Sequence, residues 1–271
     1  MSTITKIVVA ALTLGAAQAL PPSQSSQGYS SNYAPSATST YYAPPAATAS
    51  QDALFDDLFT APTAIKRFQR LLTQGQTLLT GDALRKLVVF TFDRNTPPPV
   101  GAKGGVAVSA NIETFPILTD LGISTTVGFL GPCGINTPHV HPRATEFLTL
   151  VEGDNLQFGY VLENGLVKPG DNPEIAGSLR KFEGTVFPQG SIHFQFNNNC
   201  DNATFVAALN SEDPGTSQIA QNFFALNADV VRATLGFPNT IDASNIEEFR
   251  KQIPANLAQD MDKCLAKCKK H

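Results

Sequence analysis

Between Arg85 and Ser211 the sequence falls into eight short β-like runs with no helical stretch between them, and that pattern leaves few folds open. The runs are Leu87–Phe92, Val106–Ala110, Ile123–Leu130, Glu146–Val151, Leu156–Leu162, Thr185–Phe187, Ile192–Phe196 and Thr204–Leu209. Gly, Pro and Asn punctuate them, and Asn164-Gly165 is a hairpin signal. Parallel strands need long, usually helical crossovers, so this series predicts an antiparallel sandwich or barrel. Helical spacing flanks it on both sides. Leu54, Phe55, Leu58, Ile65, Phe68, Leu71 and Leu72 recur at that spacing over Asp52–Gln74, broken near Pro62. Helical runs return over Ile219–Leu226, Ala228–Leu235 and Ser244 to about Lys267.

The chain start reads differently. Lys6 precedes the apolar run Ile7 to Gly15 and then Ala17-Gln18-Ala19, a cleavage pattern that predicts a signal peptide over 1–19. The apolar run is too short to span a bilayer. Residues 20–51 are Ser, Thr, Pro, Ala and Tyr without charge, and cannot bury enough apolar surface to offset their ordering entropy. They read as a disordered stalk. The expected order is then a helical segment over 52–84, a β-barrel over 85–212 and a helical region over 213–271, in a secreted, extracellular or cell-wall protein. The formal net charge of −4 and the lack of a basic cluster exclude a nucleic-acid face.

Only four histidines are present, and three fall in two short segments. His139 and His141 are two apart, so on a strand both rings share a face. Pro142 breaks that strand, which allows Glu146 to converge with them despite its odd offset. His193 arrives from a neighbouring strand, where alternation puts His193, Gln195 and Asn197 on one face and Phe194 and Phe196 on the other. A polar inward set makes sense around a metal, with Gln195 and Asn197 as hydrogen-bonding support for the ligands. Three imidazoles and one carboxylate suit a divalent first-row metal and leave positions open for water, substrate or dioxygen. Manganese is expected first, iron second and zinc third. Phe194 and Phe196 need cover, either from the C-terminal helices or from a second subunit.

These segments resemble the paired motifs of the cupin superfamily, and of germin-like proteins and spherulins in particular. The pattern G-x5-H-x-H-x4-E-x6-G is met by His139, His141, Glu146 and Gly153, and P-x-G-x2-H-x3-N by Pro188, Gly190, His193 and Asn197. Pro142 to Glu146 and Asp213 to Ile219 are also similar to germin segments. The resemblance implies a jelly-roll β-barrel, with manganese held by His139, His141, Glu146 and His193, in a secreted and often oligomeric protein. Cys133 and Phe182 stand where the two motifs open with glycine. Asn136 matches one of the two asparagines that hold substrate in oxalate-oxidising germins, whereas Thr126 stands at the other.

If the strands bearing His139–His141 and His193 are antiparallel neighbours, as in this fold, position 140 opposite 193 sets Cys133 opposite Cys200. A Cys133–Cys200 disulfide is expected there, leaving Cys264 and Cys268 without an assigned partner. Asn202-Ala-Thr204 is a sequon that secretion would expose to glycosylation at Asn202. Two functional readings stand. One is a metal-dependent oxidoreductase, acting on superoxide ahead of a small carboxylate such as oxalate, with Asn136 orienting the substrate. The other is a non-catalytic extracellular or cell-wall protein, or a small-ligand binder, whose metal stabilises the barrel. Homo-oligomers through the outer barrel face and C-terminal helices fit both.

Overall fold

A computed structural model describes residues 49–236, 245, 248, 253, 256–259 and 261–269. The signal peptide and most of the stalk read from the sequence lie outside the described residues.

Two helices open the described chain, α1 (Ala49–Thr60) and α2 (Ala64–Leu72). The Ala61-Pro62 break separates them, and Thr63 caps α2 by accepting the Lys66 N–H with its side chain. The first helix therefore begins inside the segment read as stalk. Leu58, Ala61 and Leu71 are buried. A two-strand ribbon follows, β1 (Thr73–Gln74) with β2 (Thr77–Leu78), and then α3 (Gly81–Val88).

The barrel is two five-stranded antiparallel sheets. One carries β3 (Gly105–Ala110), β4 (Ser124–Leu130), β6 (Glu146–Glu152), β9 (Gly184–Phe187) and β11 (Ala203–Leu209), in the order β3-β4-β11-β6-β9. The other carries β5 (Ile135–Val140), β7 (Leu156–Val161), β8 (Ile175–Leu179), β10 (Ile192–Asn197) and β12 (Ser217–Gln218), in the order β12-β5-β10-β7-β8. Alternate residues of both sheets meet between them: Leu130, Leu148, Leu150, Phe205, Ala207 and Leu209 from one, Leu156 and Leu179 from the other. Truncating a residue such as the buried Phe205 to Ala would cost about 3–5 kcal/mol. Gly128 lies under the Phe205 ring, where any Cβ would overlap it.

Among the described residues three further helices have defined bounds: α4 (Ile219–Ala225), α5 (Ala228–Thr234) and α6 (Asp262–Cys268). The fold is thus mainly β, a jelly-roll barrel with helices at both ends. Several elements differ from the sequence reading. Leu87–Phe92 is not a strand. Its start completes α3, and Phe90 packs on Phe92 and Phe115, with ring centroids 4.9 and 5.4 Å apart. Asn164-Gly165 is one turn of a longer β7–β8 connection. The helix expected from Ser244 to Lys267 is not continuous: Asn256–Gln259 bends against the barrel and pairs with β5 through an Ile135–Ala258 bridge. Most of residues 244–255 lie outside the described residues.

Candidate metal centre

The ligand strands β5 and β10 are antiparallel neighbours with His193 opposite His139. Glu146 comes from the facing sheet. The chain leaves β5 at Val140, turns through Pro142–Thr145, and enters β6 in the opposite sheet with Glu146 as its first residue. That crossing is what the Pro142 break accomplishes. The turn is tied on both sides. The Arg143 side chain bonds Asp213, its Nη2 lying 2.7 Å from Oδ1, and the Arg143 N–H donates to Pro214 O. Thr145 N–H donates to Asn210 Oδ1, while the Gln189 N–H reaches Thr145 Oγ1.

His139, His141, Glu146 and His193 each present one ligand atom within 4.8 Å of all the others. All four are buried, from 2% exposure at His193 to 9% at His141. The ring orientations have one common cause. His139 Nδ1 lies 2.8 Å from Thr137 O, His141 Nδ1 2.6 Å from Gly215 O, and His193 Nδ1 2.9 Å from Ser191 O. A carbonyl only accepts, so each Nδ1 must carry the proton, and each Nε2 is left with its lone pair facing inward. Phe187 stacks on His193 at 4.3 Å and 13°, fixing the ring plane. His141 Nε2 is 2.9 Å and His193 Nε2 3.5 Å from Glu146 Oε2. Buried histidine nitrogens with nothing but a carboxylate between them fit a divalent cation, and His193 Nε2 has no hydrogen-bond partner.

The electrostatics agree. Burial, with the neighbouring His193 and His141, lowers the His139 pKa to about 3, keeping the ring neutral and able to donate its lone pair. Burial by itself opposes ionisation of Glu146. The His141 and His193 rings beside it outweigh that effect and hold the carboxyl down to about 2. For His141, burial disfavours the charged ring, but the Glu146 carboxylate raises its pKa on balance.

Asn136 and Gln195 lie beside this cluster. Asn136 Nδ2 donates to Gln195 Oε1 at 2.6 Å, while Asn136 Oδ1 and Gln195 Nε2, both buried, have no partner. Asn197 does something else: its amide donates to Gly131 O and Asp201 O at 2.8 Å each, tying the turn after β10. The groups that orient the rings are therefore backbone carbonyls, not Gln195 and Asn197. All three lie in segments that the sequence singled out, Thr137 and Ser191 within the two histidine motifs and Gly215 within Asp213 to Ile219, but none was expected to hold a ring. Gly215 has φ +66, and a Cβ there would crowd Arg143 and Pro142. Thr126 spends its hydroxyl on Ser109 of the adjacent strand, 2.7 Å away.

The expected Cys133–Cys200 disulfide is not formed. Cys133 pairs with Cys264 and Cys200 with Cys268. His193 faces His139 rather than position 140, and the register slips again at a bulge between His193 and Gln195, after which Gln195 faces Asn136 and Phe196 faces Ile135. Cys133 then lies against Asn199, and its N–H donates to Asn199 O. Residues 264 and 268 share one face of α6, so a single helix reaches both barrel cysteines. The four sulfurs form one cluster, with Cys133 Sγ and Cys268 Sγ only 3.6 Å apart. The same helix covers the outward phenylalanines, with Phe196 packed with Cys133 and Cys264, and Phe194 and Leu265 beside them.

Two antiparallel sheets closed around a cluster of three histidines and one glutamate define the cupin class, and residues 92–243 match the cupin family. This chain belongs to that family, alongside the spherulins and germin-like proteins. It is 37% identical to Spherulin-1A of Physarum polycephalum over 224 residues, 83% of this chain and 82% of the other. It is 34% identical to putative germin-like protein 2-2 of Oryza sativa subsp. japonica over 150 residues, covering 55% of this chain and 65% of that one. Among solved structures, an oxalate oxidase superposes with TM-score 0.50 at 25% identity, over 61% of this chain and 78% of the other. Pumpkin seed globulin shares the fold at 17% identity and TM-score 0.52, over 62% of this chain and 42% of the other.

Proposed function

We propose that this protein is a secreted, manganese-binding oxidoreductase, with His139, His141, Glu146 and His193 as ligands and superoxide as a better substrate than oxalate. One observation carries the reading: three imidazoles, each locked by a backbone carbonyl as the Nδ1–H tautomer, aim their free nitrogens at one carboxylate. Iron is the second candidate and zinc the third. A manganese ion there would supply one-electron redox chemistry at an open coordination position. The chain's own part is to keep His139 neutral and Glu146 ionised, to exclude bulk water by burial, and to orient a small ligand with Asn136. Gln195 holds the Asn136 amide in place. Thr126, with its hydroxyl committed to Ser109, favours superoxide over a dicarboxylate that needs two carboxamide donors.

Metal analysis of natively secreted protein tests the ion. Turnover of superoxide and of oxalate, before and after chelation, tests the chemistry. The depth of burial favours a second reading, a metal that serves only to stabilise the barrel in a non-catalytic wall protein or small-ligand binder. A large loss of melting temperature on chelation, with no turnover in either form, would select it.

Two disulfides support an oxidising, extracytoplasmic compartment. Asn202 is exposed on the turn into β11 and is proposed as an N-glycan site, tested by a mass shift on endoglycosidase treatment that Asn202→Gln abolishes. Among the described residues no helix is long and apolar enough to cross a membrane. Phe147 and Val186, cross-strand partners exposed on the outer face of β6 and β9, are the proposed seat of homo-oligomer contacts. Sedimentation of a Phe147→Ser variant tests it.

A further inference from the structure

We infer that the C-terminal segment Asn256–Gln259 is a strap that positions His139, and that Asn256 is a positioning residue for the metal centre acting through Thr137. The inference rests on the reading of His139 as a ligand.

The outer edge of β5 is covered in two halves. β12 pairs with Val140 and His139. The remaining half would be an open edge, and the strap fills it. Ile135 N–H donates to Ala258 O at 2.8 Å. One residue pair further on, the ladder changes character. Thr137 N–H donates to the Asn256 side-chain oxygen at 3.0 Å, and the Thr137 hydroxyl lies 3.1 Å from the same atom. Gln218 Oε1 holds that hydroxyl from the other side at 3.0 Å. Thr137 is thus anchored at its amide and its side chain, and its carbonyl is the acceptor that sets the His139 tautomer.

The strap is itself heavily constrained. Leu257 is buried in the main core at 2% exposure, and its carbonyl accepts from Gly104 N–H. A Cβ on Gly104 would overlap the Leu257 and Ala258 carbonyls, so only glycine lets the strap lie this close. Leu257 has φ +62, a left-handed conformation that non-glycine residues seldom adopt, and Leu257 N–H closes onto Asn256 Oδ1 at 2.8 Å. Gln259 donates to Pro132 O, and shortly afterwards the Cys133–Cys264 bond ties the tail to the residue two before β5. Simple edge cover would be met by backbone pairing. The unusual turn that brings a side-chain oxygen to the Thr137 amide serves the residue behind a ligand.

The test uses full-length protein with Asn256→Ala and Asn256→Asp, the second keeping the accepting oxygen. Two readouts are taken: nitrogen-15 imidazole spectra of the metal-free protein, and the rate at which manganese(II)-loaded protein yields its ion to a chelator. Asn256→Ala should release manganese about tenfold faster and lose the single Nδ1–H tautomer at His139, with His141 and His193 unchanged. Asn256→Asp should match the wild type in both. If Asn256→Ala does not fold, Asn256→Ser, too short to span to the Thr137 amide, replaces it. An unchanged His139 tautomer, or an equal shift in all three histidines, overturns the inference. A wild type that retains no manganese while Asn256→Ala still shifts His139 alone would sink the metal reading and keep the strap.

Discussion

The paired strands β5 and β10 have two ends that are built on opposite principles. At the His139–His193 end, buried polar groups are held by directional hydrogen bonds to backbone carbonyls, and the shape comes from where N–H groups point. At the Cys133–Phe196 end, the same strands are held by covalent bonds and apolar packing under α6. The first end holds the candidate ligands and contributes little stability unless an ion is bound, because buried polar groups at best recover their desolvation cost. The second contributes stability and none of the candidate ligands. Placing rigidity a few residues away leaves the ligand end free to be polar.

Removing covalent support should have the largest effect. Cys200→Ser with Cys268→Ser opens a bridge spanning 68 residues and should cost about 4 kcal/mol in denaturant unfolding, with manganese content unchanged. A loss under about 1 kcal/mol would erase the contrast between the two ends. Next comes the ion. Wild-type protein should gain about 2.7 kcal/mol when free manganese is a hundred times its Kd, and His193→Ala should gain nothing under the same conditions. An equal rise in melting temperature for both would place the ion elsewhere.

Acid should dismantle the polar end selectively. The folded His139 pKa of about 3 lies below its ordinary 6.5, so the unfolded chain takes up that proton first and stability falls as pH drops through this interval. Glu146, held down to about 2, contributes stability that is complete above its ordinary 4.5 and is lost as pH falls toward 2. His141 acts oppositely, its raised pKa adding stability below 6.5 that is lost as pH rises through the folded value. Metal-free protein should therefore lose stability from pH 6.5 downward, with a shallower slope in His139→Ala. A slope that is the same in both would remove His139 from the account.

The smallest effect concerns backbone strain. Cys133 and Phe182 occupy positions where the family motifs carry glycine, and they retain the glycine geometry, with φ +56 and +68. Cys133 is fixed by its disulfide. Phe182 is 75% exposed, so Phe182→Gly should raise stability by about 1 kcal/mol in a thermal melt. A decrease would mean that its ring, which lies under Lys181, matters more than the strain.

What the sequence discloses follows from this division. His139, His141 and His193 were legible because strand alternation ties residue number to face, and Glu146 because Pro142 marks the crossing. The disulfide pairing was not. It depended on a register one residue from the assumed one, a further slip at a bulge, and a helix reached across the chain, none of which leaves a local mark. The carbonyls of Thr137, Ser191 and Gly215 were also hidden, since every residue type has one. β8 escaped notice because Ile-Ala-Gly-Ser-Leu lacks the β-branched and aromatic content of a strand. Leu87–Phe92 has that content and yet makes no ladder, because its aromatic rings found partners on another segment.

Because Glu146 sits on one sheet while His139 and His193 sit on the other, with His141 just past the end of β5, the four donors first meet only after both sheets have docked. An ion cannot nucleate such a barrel. An ion held by the four donors would enter last, and a chain folded in metal-starved medium should then be a complete, refillable apoprotein.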